Sequence, residues 1–420
     1  MHHFKYKGGA LYAEDVPMSL LASRYGTPLY VYSSATLKRH IGAYESAFRS
    51  MPHVTCFAVK ANSNLAVLSL LAKEGAGADV VSGGELYRAL KAGVPASKIV
   101  YAGVGKTEAE ISQALHAGIM MFNIESSDEL LVIDKVARSM KVKAPVALRV
   151  NPDIDAGTHP YITTGLKKYK FGIPRELALD FYREASKLRN IEVVGIHQHI
   201  GSQITTVSPF ADSLERILVL VDELASVGMH IRYVDIGGGL GISYDGKSTP
   251  MPRDLAGRVL PQLKGRGVTL VAEPGRSIVG NAGVLLTTTL YLKDGPGKKF
   301  VIVDAGMNDL MRPTLYDAYH EIQPVKKSRA RAVKADVVGP ICETGDFLAL
   351  GREIPLPKQG DVLAVMSAGA YGFSMSSNYN SRGRAAEVMV SGKKHYLIRE
   401  REDYESLLRG ESVPKEFKAR

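Results

Sequence analysis

Lys60 closes the apolar run FAVK, and the chain passes at once into Ala61, Asn62, Ser63 and Asn64, residues that favour turns and helix starts. A lysine at the end of a buried strand can snorkel to water, pair with a carboxylate, or act as a nucleophilic amine where its ammonium form is desolvated. Other groups capable of chemistry stand at comparable places along the chain. Ser82-Gly83-Gly84-Glu85 follows one apolar run, and His199-Ile200-Gly201-Ser202 follows another. The glycines Gly237, Gly238 and Gly239 follow a third run, and Glu273-Pro274-Gly275-Arg276 a fourth. Singly, each has a plain explanation. His199 could be a core histidine, His197 on the same strand face is better read as one, and a triple glycine is most simply a tight turn. The stretch GGGLGIS is not a dinucleotide fingerprint, since it lacks the last glycine of GxGxxG and runs into the turn-rich YDGKSTP rather than a helix. Plain explanations do not account for all of these groups falling at the ends of apolar runs.

Those runs are short and β-prone: residues 54–59, 78–81, 98–102, 119–124, 145–150, 192–200, 233–236 and 269–273, with helical patterns in most of the gaps. Eight such strands over roughly 250 residues predict a parallel (β/α)8 barrel, whose chemistry gathers at the carboxyl ends of the strands. An open doubly wound sheet is the alternative. After about residue 280 the pattern changes to closely spaced strand-like runs at 284–292, 300–305, 331–339, 361–367 and 385–392, separated by Gly, Pro and Asp. The expected architecture is therefore a barrel over residues 28–280 and a mostly antiparallel β domain of sandwich or barrel type, built from 281–420 with 1–27 added to it.

The whole chain has 420 residues, 45% hydrophobic and 23% charged, the composition of a globular protein with a sizeable core. No secretory leader or long apolar span is evident, and two cysteines, Cys56 and Cys342, make no disulfide framework, so a cytoplasmic protein is expected. A net charge of +10 is spread along the chain, which suits anionic ligands better than nucleic acid.

Brought to one rim, the strand-end groups suit pyridoxal 5'-phosphate: an amine for its aldehyde, backbone N–H groups for its phosphate, and a side chain to face the pyridine nitrogen. No metal ion is expected. In order along the chain, FAVKAN, GADVVSGGEL, GIHQHIGSQ, DIGGGLGISY, EPGRSIV, MRPTLYDAYH, GPICETGDFLA and GAYGFSMSSNYNSR resemble the fold type III pyridoxal-phosphate decarboxylases of basic amino acids. The set is most similar to the branch that acts on meso-diaminopimelate.

The resemblance implies that Lys60 carries the cofactor, that His199 stacks on its ring, and that Ser202, Gly239, Gly275 and Arg276 surround its phosphate. It makes Glu273 the partner of the pyridine nitrogen. A carboxylate there keeps that nitrogen protonated, whereas the related alanine racemases use an arginine, so EPGR implies decarboxylation rather than racemisation. It makes Cys342 the proton donor, with Glu343 reading the substrate, and Arg312, Tyr316 and Tyr371 substrate or cofactor contacts. Arg276 and Arg312 would hold a distal carboxylate. Cys56, inside an apolar run, is read as packing. The resemblance also implies a homodimer with shared active sites, no nucleic acid or membrane partner, and L-lysine and CO2 as products of loss at the D-centre. Ornithine, arginine or carboxynorspermidine decarboxylation, and a non-catalytic pyridoxal-phosphate carrier, are the competing readings.

Overall fold

The computed structural model describes residues 2–154 and 170–418. Two compact units result: Ser34–Ala282, and His2–Ser33 together with Gly283–Arg420.

The first unit is a closed parallel barrel. Its strands are β1 (His53–Ala58), β2 (Gly77–Val80), β3 (Ile99–Tyr101), β4 (Met121–Ile124), β5 (Ala144–Asn151), β6 (Ile191–His197), β7 (Tyr233–Asp235) and β8 (Thr269–Ala272). Each pairs in parallel with the next, and β8 pairs with β1, so no edge is left open. Apart from the first residues of β1, β6, β7 and β8, these strands are buried almost throughout, as expected where one face fills the barrel and helices cover the other. The eight strands coincide with the eight apolar runs.

Side-chain caps turn several strand ends into helix starts on the rim. Asn64 accepts from Ala66 N at 2.9 Å, Ser82 from Glu85 N at 3.2 Å, and Ser126 from Glu129 N at 3.2 Å. Thr107 and Glu110 form a reciprocal capping box at the start of the helix Glu108–Ala117.

The second unit carries a sheet in the order Phe347–Pro355, Ala332–Val338, Lys298–Val303, Gly283–Gly295, Leu29–Ser33, Ala386–Ser391, Lys394–Arg399, with Val362–Val365 paired to both Gly283–Gly295 and Ile322–Pro324. Two of its pairings are parallel, Lys298–Val303 with Ala332–Val338 and Leu29–Ser33 with Ala386–Ser391, and the rest are antiparallel. Phe4–Lys7, Ala10–Ala13 and Val16–Pro17 form a separate three-stranded sheet. The expected boundary at residue 28 needs correction at one element. Leu29–Ser33 is buried at all five positions and sits between Gly283–Gly295 and Ala386–Ser391, so it is an interior strand of the second unit, not the start of the barrel. Among the described residues no helix is long and apolar enough to cross a membrane.

Candidate active site

Lys60 lies in the single 3-10 turn Val59–Ala61 directly after β1. Its Nζ donates to Asp79 Oδ2, from the neighbouring β2, in a pair whose carboxylate is fully buried and whose lysine side chain is 36% exposed. The amine is therefore not fully desolvated, and it faces a buried carboxylate. Burial, then repulsion from Glu273, raises the Asp79 carboxyl to about 6, with Lys60 opposing the rise.

Asp79 belongs to a polar layer inside the carboxyl end of the barrel. Asp79, Asn123, His197 and Glu273 come from, or directly follow, the even-numbered strands, and all four are buried. Side chains from alternate strands build one interior layer of an eight-stranded barrel. Asn123 Nδ2 donates to Glu273 Oε1 at 3.1 Å, and His197 Nε2 stands 3.4 Å from Glu273 Oε2. Asp235, at the end of β7, accepts from Gly237 N at 2.9 Å, and one polar atom each of His197, Asp235 and Glu273 lies within 4.8 Å of the others.

The two carboxyls are driven apart. Burial, reinforced by the Glu273 charge, pushes Asp235 well above the usual carboxylate range. Burial also opposes ionisation of Glu273, but His197 and then Lys60 overcome it and hold Glu273 below its ordinary value. Glu273 is the charged member of the pair and Asp235 the protonated one.

His199 follows β6 and is half-buried. Its Nδ1 accepts from Gly238 N at 3.1 Å, which places the ring proton on Nε2. Burial, then the Arg149 and Lys60 charges, lowers its pKa well below the ordinary histidine value, so the ring is neutral. His197 is not the satisfied core histidine expected from its strand. It is buried, and among the described residues neither ring nitrogen has a hydrogen-bond partner in good geometry, Nε2 standing 3.4 Å from Glu273 Oε2.

The glycine loop is dictated by close backbone approach. A Cβ on Gly238 would come within 2.2 Å of Glu273 O, and one on Gly239, at φ 113°, within 2.4 Å of Gly201 O. The loops after β6 and β7 are stitched together by Ile204 N to Gly239 O at 2.9 Å and by Gln203 Nε2 to Ile242 O at 2.7 Å. Gly275 packs with its Cβ position 3.0 Å from Ala58 and Ala61, beside the turn that carries Lys60. Arg276 is buried, with NH1 donating to Tyr244 Oη at 2.7 Å and NH2 to Ser202 Oγ at 3.0 Å. A guanidinium held by neutral hydroxyls suits an anion such as phosphate.

The residues present fit pyridoxal phosphate. The rim offers an amine at Lys60, an ionised carboxylate at Glu273, a neutral ring at His199 and a buried guanidinium at Arg276. Below it, Asp79 Oδ1 and Asn123 Oδ1 are buried without hydrogen-bond partners among the described residues, the condition of a site shaped for a polar occupant.

The remaining candidates lie in the second unit. Cys342 is exposed in the loop between Ala332–Val338 and Phe347–Pro355, and Cys56 is fully buried in β1. Cys342 N donates to Asn380 Oδ1 at 2.8 Å, and the exposed Glu343 accepts from Tyr379 Oη at 2.9 Å. Asp346 anchors the far end, accepting from Met307 N and Ile341 N at 2.6 Å each. Arg312 opens the five-residue helix Arg312–Tyr316 and is buried, whereas Tyr316 is half-buried. Tyr371 is half-buried at φ 56°, an uncommon conformation for an aromatic residue.

Sequence reasoning passed over Asp79, Asn123, Arg149 and Asp235. Each is a polar residue inside an apolar strand run, and that interruption was the available signal. Arg149 pairs with Glu125 at 2.6 Å, both side chains being almost wholly buried.

A fold and a site of this kind define a class, and residues 34–280 match the family described as pyridoxal-dependent decarboxylase, pyridoxal binding domain. Full-length relatives narrow the class. The diaminopimelate decarboxylase of Pseudomonas fluorescens is 54% identical over 98% of this chain and 99% of its own, and that of Vibrio cholerae 52% identical with the same coverage. The crystal structure of diaminopimelate decarboxylase from M. jannaschii in co-complex with L-lysine is 41% identical, covers 99% of this chain and 100% of that one, and superposes with a TM-score of 0.94. The chain belongs to the diaminopimelate decarboxylase family.

Proposed function

We propose that this protein is a pyridoxal-phosphate-dependent carboxy-lyase that converts meso-diaminopimelate to L-lysine and CO2, with loss of the carboxylate at the D-centre. The observation that carries the chemistry is the ionised Glu273 on the same barrel rim as Lys60, within a family whose full-length members bear this activity in their names. When bound, pyridoxal phosphate supplies the electron sink for the pair left behind by departing CO2.

The chain's own residues take the other roles. Lys60 would hold the cofactor covalently through Nζ, with the buried Asp79 carboxyl as that nitrogen's hydrogen-bond partner when it is free. Glu273, kept charged by its neighbours, holds a proton on the pyridine nitrogen. His199 would face the ring as a neutral imidazole, and Ser202, Gly239, Gly275 and Arg276 would hold the phosphate. Cys342 delivers a proton to the carbon that has lost CO2, a role that its exposed position on a polar loop supports and that Cys56, fully buried, could not fill. Glu343 pairs with the distal ammonium, Arg276 and Arg312 grip the distal carboxylate, and Tyr316 and Tyr371 close around the substrate. The protein acts in the cytoplasm as a homodimer, the Cys342 loop of one subunit serving the Lys60 site of its partner.

The test is CO2 release by the pyridoxal-loaded protein against a panel of amino acids. Strong preference for meso-diaminopimelate supports the reading. Equal turnover of ornithine or arginine replaces it with a polyamine-pathway decarboxylase, and no turnover of any of them leaves a cofactor carrier.

A further inference from the structure

We propose that His320 is a positioning residue that sets the guanidinium of Arg312 for a substrate's distal carboxylate. The proposal rests on the reading of Arg312 given above and adds the group that aims it.

The local chain is built to bring the two residues together. The helix Arg312–Tyr316 stops at Asp317, which adopts a left-handed conformation with φ 50°, and Ala318 N returns to Arg312 O at 3.3 Å. This reversal lets His320, eight residues on, reach back to the helix start. There it is fully buried, and Arg312 is 5% exposed.

Both ring nitrogens of His320 are engaged. Nδ1 lies 2.8 Å from Met366 O and Nε2 lies 2.8 Å from Arg312 NH1. A backbone carbonyl only accepts and a guanidinium only donates, so Nδ1 carries the proton and Nε2 offers its lone pair. The imidazole is thereby neutral, in one tautomer, and bound at both ends. Its own backbone is fixed as well: Arg352 NH1 donates to His320 O at 2.8 Å, and Met366 N donates to Glu321 O at 2.8 Å where Ile322–Pro324 joins Val362–Val365. The sheet thus transmits its register through Met366 O and the ring to one edge of the guanidinium. A cation so held loses little freedom when it meets a carboxylate, and a planar guanidinium presents two parallel donors only if its plane is fixed. An ordinary core histidine has no need of a buried arginine as its partner.

The experiment uses the pyridoxal-loaded enzyme and two inhibitors. L-Lysine retains the amino-acid end that Arg312 is to grip, and 1,5-diaminopentane lacks that carboxylate. His320→Asn keeps a donor for Met366 O but withdraws the acceptor from Arg312. It is expected to raise KM for meso-diaminopimelate and the inhibition constant of L-lysine by about tenfold or more, with kcat and inhibition by 1,5-diaminopentane little changed. His320→Gln, whose longer amide restores an acceptor for Arg312, should recover most of the loss. Equal weakening of both inhibitors, or unchanged inhibition by L-lysine, overturns the proposal. Should His320→Asn fail to fold, His320→Leu is judged by the same pair. Arg312→Ala measured alongside separates the two levels: if it selectively weakens L-lysine while His320→Asn does not, only the positioning role falls, and if Arg312→Ala has no such effect both fall.

Discussion

The barrel unit and the β unit hold their candidate residues by different means. In the barrel, Lys60, Asp79, Asn123, His199, Asp235 and Glu273 stand at or just beyond strand ends, so the register of the parallel ladder places them. In the β unit, Arg312, Glu343, Cys342 and Tyr371 sit on short helices and loops, and single groups tie them down: the buried Asp346 for one end of the 341–346 loop, the exposed Asn380 for Cys342, and the buried His320 for Arg312. A ladder distributes the positioning over many hydrogen bonds, whereas a loop concentrates it in one or two. The barrel rim should therefore tolerate change around its functional groups better than the β unit does.

The sharpest way to break this division is at the attachment point. If cofactor chemistry is confined to the barrel rim, Lys60→Ala should reduce turnover to below about a thousandth of wild type, the scale of removing a covalent-catalysis nucleophile. Visible absorbance of the cofactor would be lost, and borohydride should no longer fix pyridoxal to the peptide that carries residue 60. Label appearing on another lysine would move the attachment elsewhere. The β unit faces the complementary test. Cys342→Ala should lower kcat by about 10²–10⁴-fold, as for loss of a general acid, and leave cofactor absorbance intact. Mixing the two inactive variants should restore partial activity if the loop serves a partner subunit. No recovery after confirmed subunit exchange would confine both residues to one chain's site.

Within the barrel, Glu273→Gln should cost about 10²–10³-fold in kcat, the size of one lost electrostatic stabiliser, and should shift the cofactor absorbance because the pyridine nitrogen loses its anionic partner. Asp235→Asn should do far less, since Asp235 is already the protonated member of the pair and an amide preserves its shape and its neutrality. Comparable losses in both variants would mean that the two carboxyls share the charge.

The same division explains what could be read beforehand. Each of the eight barrel strands is a short apolar run between turn residues, so the strand ends alone single out Lys60, His199 and Glu273 as candidates. The interior polar layer was not legible, because Asp79 and Asn123, on even-numbered strands, and Asp235, at the end of β7, look like single interruptions of apolar runs until the barrel closes and brings their strand ends together. In the β unit the strand Leu29–Ser33 was missed because its partners lie more than 250 and 350 residues away, a distance no local pattern spans. Cys342 and Arg312 were found only through resemblance. The contacts that fix them link residues 8 to 46 positions apart through loops with no periodicity.

The mildest change tests the loop anchor itself. Asp346 is buried, with Oδ1 accepting from Met307 N and Oδ2 from Ile341 N, so both oxygens are committed to separate backbone donors. Gly306 and Gly339 leave room for it: a Cβ at either would come within 2.8 Å and 2.5 Å of the carboxylate, respectively. Asp346→Asn keeps the size but replaces one acceptor with an NH2 group, which would face a backbone N–H donor to donor. One buried amide is then left unpaired, a defect of about 1–3 kcal/mol, and thermal unfolding of the β unit should move down by several degrees. Because the loop keeps its other ties, Cys342 N to Asn380 and Glu343 to Tyr379, activity below the new transition should fall only a fewfold, through kcat. An equally small substitution at the barrel rim, Ser202→Ala, removes one hydroxyl from Arg276 but leaves Tyr244 in place, and should lower the melting temperature less. If Ser202→Ala proved the more destabilising of the two, concentrated anchoring would not be what distinguishes the β unit from the barrel.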